Sequence, residues 1–193
     1  MSPQELRHAL NPGKATKFLA LLATSDEFEQ VTNLSKLRKM RMDDREFILG
    51  FLAFTLTSYK DYQSDKRNSF LSRALAKINS LHEEQLKVIE NNFKKSMQAA
   101  FEIFGKNAFR KISQNQKKMY PINKALFEGW SVNLSQLSDE QIKLLKQHRQ
   151  KLVKTFTYYV DNDEDFQRSI SQAADKIEYR FMIIEKIIQE VLA

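Results

Sequence analysis

The sequence predicts an all-α protein, a single multi-helix bundle of about eight or nine helices. Three observations predict it. The 193 residues include only four Gly and three Pro, so few positions interrupt a helix. Leu, Lys, Gln, Glu and Ala, all good helix formers, are abundant. Apolar residues recur at helical spacing, and no segment gives a convincing run of the alternation that marks a strand. Hydrophobic residues make up 42% and charged residues 28%, the balance of a globular chain. The length allows a sizeable core, and with no clear linker or repeat we read residues 1–193 as one domain.

The elements follow in order. Ser2-Pro3-Gln4-Glu5 reads as a helix start, with Ser2 as cap and Pro3 at the first helical position. Asn11-Pro12-Gly13 is a turn signal that breaks residues 3–23 into short helices. A further turn or two of helix follows Ser25-Asp26-Glu27. The segment 33–42 is basic. Asp43-Asp44-Arg45-Glu46 has the pattern of a capping box and starts a helix that is apolar on most sides, hence buried and central. Tyr59-Lys60-Asp61-Tyr62 ends it, and residues 66–79 form the next helix.

Ser80-Leu81-His82-Glu83 reads as a second capping box, opening a long helix to Phe104 that stops at Gly105. A polar, basic stretch runs from 106 to Pro121, and residues 122–135 read as a helix with Trp130 in the core. Ser138-Asp139-Glu140-Gln141 is a third capping box, starting a helix to about Val160. Residues 161–165 form an acidic turn, 164–172 a short helix and 175–192 the last.

Composition excludes several classes of function. There is no cysteine, so there are no disulfides and no thiolate metal sites, which fits a reducing cytoplasm. No apolar run is long enough to span a membrane, and no basic-then-apolar leader opens the chain. The expected location is cytoplasmic. His8, His82 and His148 lack the spacing of a helical metal site. The carboxylate groups at 26–29, 43–46 and 161–165 are explained by helix starts, which favour acids; the last lacks the glycine and distal glutamate of a calcium loop. No phosphate-binding glycine loop or nucleophile elbow occurs. We therefore expect no catalytic residues, no metal and no cofactor, and an autonomous nuclease is the least favoured reading.

The net charge of +7 favours an acidic partner. Two stretches carry the signal. No acid lies between Ile103 and Phe127, where Lys106, Arg110, Lys111, Lys117, Lys118 and Lys124 are found. None lies between Gln141 and Val160, which hold Lys143, Lys146, Arg149, Lys151 and Lys154. These eleven residues are the candidate nucleic-acid contacts, because phosphates take up such cations with release of counterions. The bland alternative is a solvated basic face. Lys36, Arg38, Lys39 and Arg41 form a third patch, which Asp43, Asp44 and Glu46 are placed to cancel. Tyr120 and the Tyr158-Tyr159 pair lie beside these patches, either to stack on unpaired bases or simply to pack.

Several stretches, in order, resemble one family. Ser2-Pro3-Gln4-Glu5-Leu6-Arg7 resembles the end of its "F-x-R-x-N-x-G-G-x-L-x-x-Q-E-L-R" segment. Met42 to Glu46 with Phe51-Leu52-Ala53-Phe54 resembles its "R-M-x-D-x-E-x-x-L-R-F-L-A-F" helix. Asn68-Ser69-Phe70-Leu71 is similar to its helix after a "Y-x-x-Y" turn. Phe104-Gly105 with Ala108-Phe109-Arg110, Ile122 to Glu128 with Trp130, and Phe166, Ser169 to Gln172 and Tyr179-Arg180-Phe181 resemble "F-G-x-x-A-F-R", "I-N-K-A-L-F-E" and "F-x-x-S-I-S-Q … Y-R-F". The family is that of domain of unknown function 262, the GmrSD-type restriction endonuclease N-terminal family.

The resemblance covers its C-terminal helical half and implies a role in restriction and defence against foreign DNA. It implies that the ParB/sulfiredoxin-like core, with its Asp-Gly-Gln-Gln-Arg motif, lies on another polypeptide or is lost. Residues 1–25 would then form the junction, with Gln4, Glu5 and Arg7 as docking residues for that core. The expected function is a non-catalytic helical module that contacts nucleic acid, DNA favoured, and docks to the core. The alternative is a protein-interaction or assembly domain without nucleic-acid binding, with homo-oligomers possible. The chain departs from the family where Ala173-Ala174-Asp175-Lys176 replaces a glycine-containing turn, which would fuse the last two helices or remove a backbone contact.

Overall fold

The computed structural model describes residues 13–62, 67–171 and 176–193. Among these, eleven α-helices and no strand are found. They are α1 (Lys14–Ala23), α2 (Asp26–Thr32), α3 (Lys36–Met40), α4 (Asp43–Leu56), α5 (Arg67–Ser80), α6 (Glu83–Phe104), α7 (Lys124–Ser135), α8 (Asp139–Gln147), α9 (Arg149–Asn162), α10 (Glu164–Ser171) and α11 (Ile177–Leu192). The all-α class agrees with the sequence reading.

The helix number exceeds the expected eight or nine for two local reasons. The basic segment 33–42 contains α3, because the Ser35 hydroxyl accepts from the Arg38 N–H and starts a helical turn there. The long helix expected from Ser138 breaks at His148, whose backbone leaves helical geometry at φ −102° and ψ 24°. The break redirects the chain so that Leu145 of α8 and Leu152 of α9 are both fully buried. The last two helices do not fuse: Lys176 adopts a left-handed conformation, φ 56°, immediately before α11.

The capping predictions need two corrections. Asp43 is not a cap: Met42 occupies that position in left-handed geometry, and no side chain caps α4. The cap of α6 is His82 rather than Ser80, since the Gln85 side chain accepts from the His82 N–H at 2.9 Å. Ser80 is instead the last residue of α5, and its hydroxyl donates to the Lys77 carbonyl. At Ser138 the reciprocal box forms with Gln141.

Helices α4 and α7 lie at the centre. In α7, Ala125 to Val132 are all buried, polar residues included. Phe127 is ringed by Phe28, Phe47 and Phe109 at 5.9, 5.1 and 4.6 Å between centroids. Trp130 meets Phe104 and Phe156 at 4.8 and 5.4 Å. Each such ring contributes about 1.5–3 kcal/mol by leaving water. The start of α7 is held by Asn123, whose carbonyl oxygen accepts from the Leu126 N–H at 3.0 Å and whose amide donates to the Ile170 carbonyl at 2.6 Å. Asn123→Ala is expected to cost about 1–2 kcal/mol in urea unfolding, a cap plus a tertiary hydrogen bond.

One group of charges is sealed in this core. Glu128 on α7 is paired with Arg67 on α5 and with Arg180 on α11, the latter at 3.2 Å. Arg180 is fully buried and also donates to the Ser169 carbonyl. Burial presses its guanidinium below its ordinary value, against the pull of Glu128. Gly50 on α4 makes the room: a Cβ there would stand 2.5 Å from Glu128 Oε1. Glu128, Ser169 and Arg180 lie far apart in the chain, and the fold brings them together.

Candidate nucleic-acid interface

The segment from 108 to 123, between α6 and α7, carries most of the first basic stretch and is irregular yet firmly held. Gly105, at φ 58°, ends α6. Phe109 also takes a positive φ, 59°, which lets its ring pack on Phe127 while its carbonyl accepts from the Asn123 N–H at 2.9 Å. The Gln114 N–H donates to the Asp161 carboxylate at 2.9 Å. The base of the loop is thereby fixed from three sides, and Lys117, Lys118, Met119, Tyr120 and Pro121 at its tip are exposed.

The eleven cations predicted to meet phosphate divide sharply. Arg110 serves the fold: its guanidinium donates to the carbonyls of Lys106, Tyr120 and Thr32 at 3.1, 3.0 and 3.3 Å. Burial and the nearby charge of Arg38 hold it below its ordinary value. Lys111 donates to the Ser171 hydroxyl at 2.9 Å, and burial lowers it too. Lys124 lies 3.7 Å from Asp43. Lys146 pairs with Glu102 at 2.5 Å, and Lys151 donates to the Glu190 carbonyl. Lys106, Lys117, Lys118, Lys143, Arg149 and Lys154 are exposed and make no ion pair among the described residues. Gln4, Glu5 and Arg7, the expected docking residues, lie outside the described residues.

The two basic stretches approach each other at one edge, where Lys146 of α8 sits against Glu102, one turn before Lys106. The third patch is better joined to the first. Arg110 ties the loop to the segment that leads into α3, donating to the Tyr120 carbonyl on one side and the Thr32 carbonyl on the other, and its charge is felt by Arg38. Acids on both sides of α3 engage its cations. Arg38 pairs with Asp43 at 2.8 Å and Lys39 with Glu29 at 2.6 Å, while Asp44 turns to Arg45. Sequence spacing could not show this merger, because it depends on where the loop after α6 returns.

The two aromatic candidates differ. Tyr120 stands exposed beside the exposed lysines of the loop tip. Tyr158 is exposed at 60%, but it shares a shallow groove of about 510 Å³ with Asp163, Glu164 and Asp165, a lining that repels phosphate. There the Asp163 carboxylate accepts from the Tyr179 hydroxyl at 2.7 Å, which pushes the phenol up to about 12. The neutral phenol is favoured by folding, so its stabilisation is complete below pH 10 and fades as pH rises through about 12. Alkaline ultraviolet titration is expected to show this late tyrosine, and Asp163→Asn to return it towards its ordinary value.

No group of three His, Asp or Glu residues is placed to hold a metal ion among the described residues. No helix of the described residues is long and apolar enough to cross a membrane. Comparison of the chain with protein-family models, curated proteins and solved structures finds no match.

Proposed function

We propose that the chain is a non-catalytic helical module of a restriction- or defence-type protein that grips nucleic acid, DNA favoured, and works beside a ParB-like nucleotide-handling core. One observation carries the binding reading. Lys117 and Lys118, without an ion pair among the described residues, project from a loop whose base is clamped by Arg110, Asn123 and Asp161. Cations presented on a rigid support lose little entropy when they meet phosphate. Lys106 stands where the first stretch approaches the second, which offers Lys143, Arg149 and Lys154. The ParB-like partner is supported by the order of the resembling stretches alone.

Salt dependence tests it. Affinity for a short DNA duplex is expected to fall steeply with salt, and Lys117→Gln with Lys118→Gln to flatten the log–log slope by about 0.9 for each phosphate no longer neutralised. Affinity indifferent to salt, or to both substitutions, rules the reading out. A second reading, an assembly domain that ignores nucleic acid, draws on Leu37 and Met40 of α3, exposed at 59% and 68%. It predicts a dimer by light scattering that Leu37→Ser with Met40→Ser dissolves.

A further inference from the structure

The geometry points to a phosphate subsite between α3 and α7 in which the Asp43 carboxylate occupies the phosphate's place, so that Asp43 restrains the grip of this face on nucleic acid. The inference rests on the reading of the face as a nucleic-acid surface. Arg38 Nε meets one oxygen of Asp43 at 2.8 Å, and Lys124 Nζ lies 3.7 Å from the other. Two cations thus address two oxygens of one small anion, as they would the two non-bridging oxygens of a phosphodiester. Both are held in place beforehand: the Arg38 guanidinium lies 5.5 Å and the Lys124 ammonium 5.8 Å from the centre of the buried Phe47 ring.

Arg38 and Lys124 share the single carboxylate, and Arg110 adds a third positive charge close to Arg38. The neighbouring acid, Asp44, is buried and engaged with Arg45. All three members of the Asp43 group remain about one third exposed, so a phosphate can reach them. Asp43 also occupies the first position of α4 without capping it, so its carboxylate contributes little to the helix beyond a favourable dipole contact.

The decisive variant is Asp43→Asn, which keeps the shape and removes the charge. Binding of a fluorescein-labelled DNA duplex is expected to tighten several-fold at low salt. The log–log salt slope is expected to steepen by about 0.9 for each additional phosphate neutralised. The tighter binding is expected to vanish when Arg38→Gln and Lys124→Gln are added. Unchanged or weaker binding by folded Asp43→Asn overturns the proposal, as does tightening that survives loss of both cations, since that is mere net charge. Inorganic phosphate is the second probe. If only its binding responds to Asp43→Asn, the subsite serves a free anion and its assignment to nucleic acid fails. Should Asp43→Asn lose its helical circular dichroism, Arg38→Gln and Lys124→Gln carry the test singly: each is expected to weaken duplex binding, and unchanged affinity overturns the subsite. Wild-type protein that ignores the duplex altogether sinks the earlier reading instead.

Discussion

Glu128→Ala is expected to destabilise the protein by about 3–5 kcal/mol, more than any other single substitution proposed for this chain. The carboxylate is nearly inaccessible and lies between two guanidiniums, one of them fully buried. Removing it leaves two positive charges facing each other in a medium that solvates neither. The remaining groups give little relief. Among the described residues Arg180 keeps its bond to the Ser169 carbonyl, while Arg180 Nε and Arg67 Nη1 already lack partners. A loss of this size is a large part of the roughly 5–15 kcal/mol that ordinary domains possess. Urea unfolding followed by circular dichroism measures it. Glu128→Gln, which retains the shape, is expected to be nearly as harmful, because the amide presents two donors to a site already crowded with them. A cost below about 1 kcal/mol for both variants would mean that water solvates these charges as it does a surface pair. Replacing Arg67, Glu128 and Arg180 together by apolar residues of similar volume is expected to recover much of the loss, since three desolvated charges then disappear at once.

Gly50→Ala is expected to cost about 1–3 kcal/mol through overpacking. In an exposed helix interior the same change adds up to about 1 kcal/mol of stability. The sign reverses here because the new methyl meets Glu128 Oε1 at 2.5 Å, well inside contact distance. Glu128 cannot step aside, since both its oxygens are held by arginines. The clash therefore displaces the ion pair or pushes α4 away from α7. In a chain of this length a loss of 1 kcal/mol lowers Tm by about 2–4 °C, which a thermal melt resolves. The mechanism has a signature that a generic helix defect lacks. With Glu128 already truncated, Gly50→Ala is expected to cost far less, so the two changes are strongly non-additive. Equal costs in both backgrounds would mean that the glycine serves some other need.

These two residues show where local pattern stops being informative. Glu128 sits in a run, Ala125 to Trp130, that reads as one apolar helix with an incidental acid. Nothing near it in the chain reveals two arginines 61 and 52 residues away. Nothing in the local sequence marks Gly50 as the space into which the carboxylate fits. Arg110 is the converse case. Its place in an acid-free stretch makes it a natural phosphate ligand, yet three carbonyls occupy its guanidinium. Lys111, Lys146 and Lys151 are likewise engaged, which composition does not reveal. The caps follow the same rule. The Ser138 box is legible from its local spacing, whereas α4 starts after a left-handed Met42 and the box of α6 sits at His82, two residues beyond the serine that the pattern suggests.

The helical class, the long helix that ends at Phe104 and the two acid-free basic stretches are all written in the chain itself, because each depends on residues within a few turns of one another. Folding alone settles which cations stay exposed, that α3 joins the loop before α7, and that a buried carboxylate holds two arginines. Those outcomes depend on contacts between residues far apart in the chain, and a charge's availability is set by whatever the fold places against it.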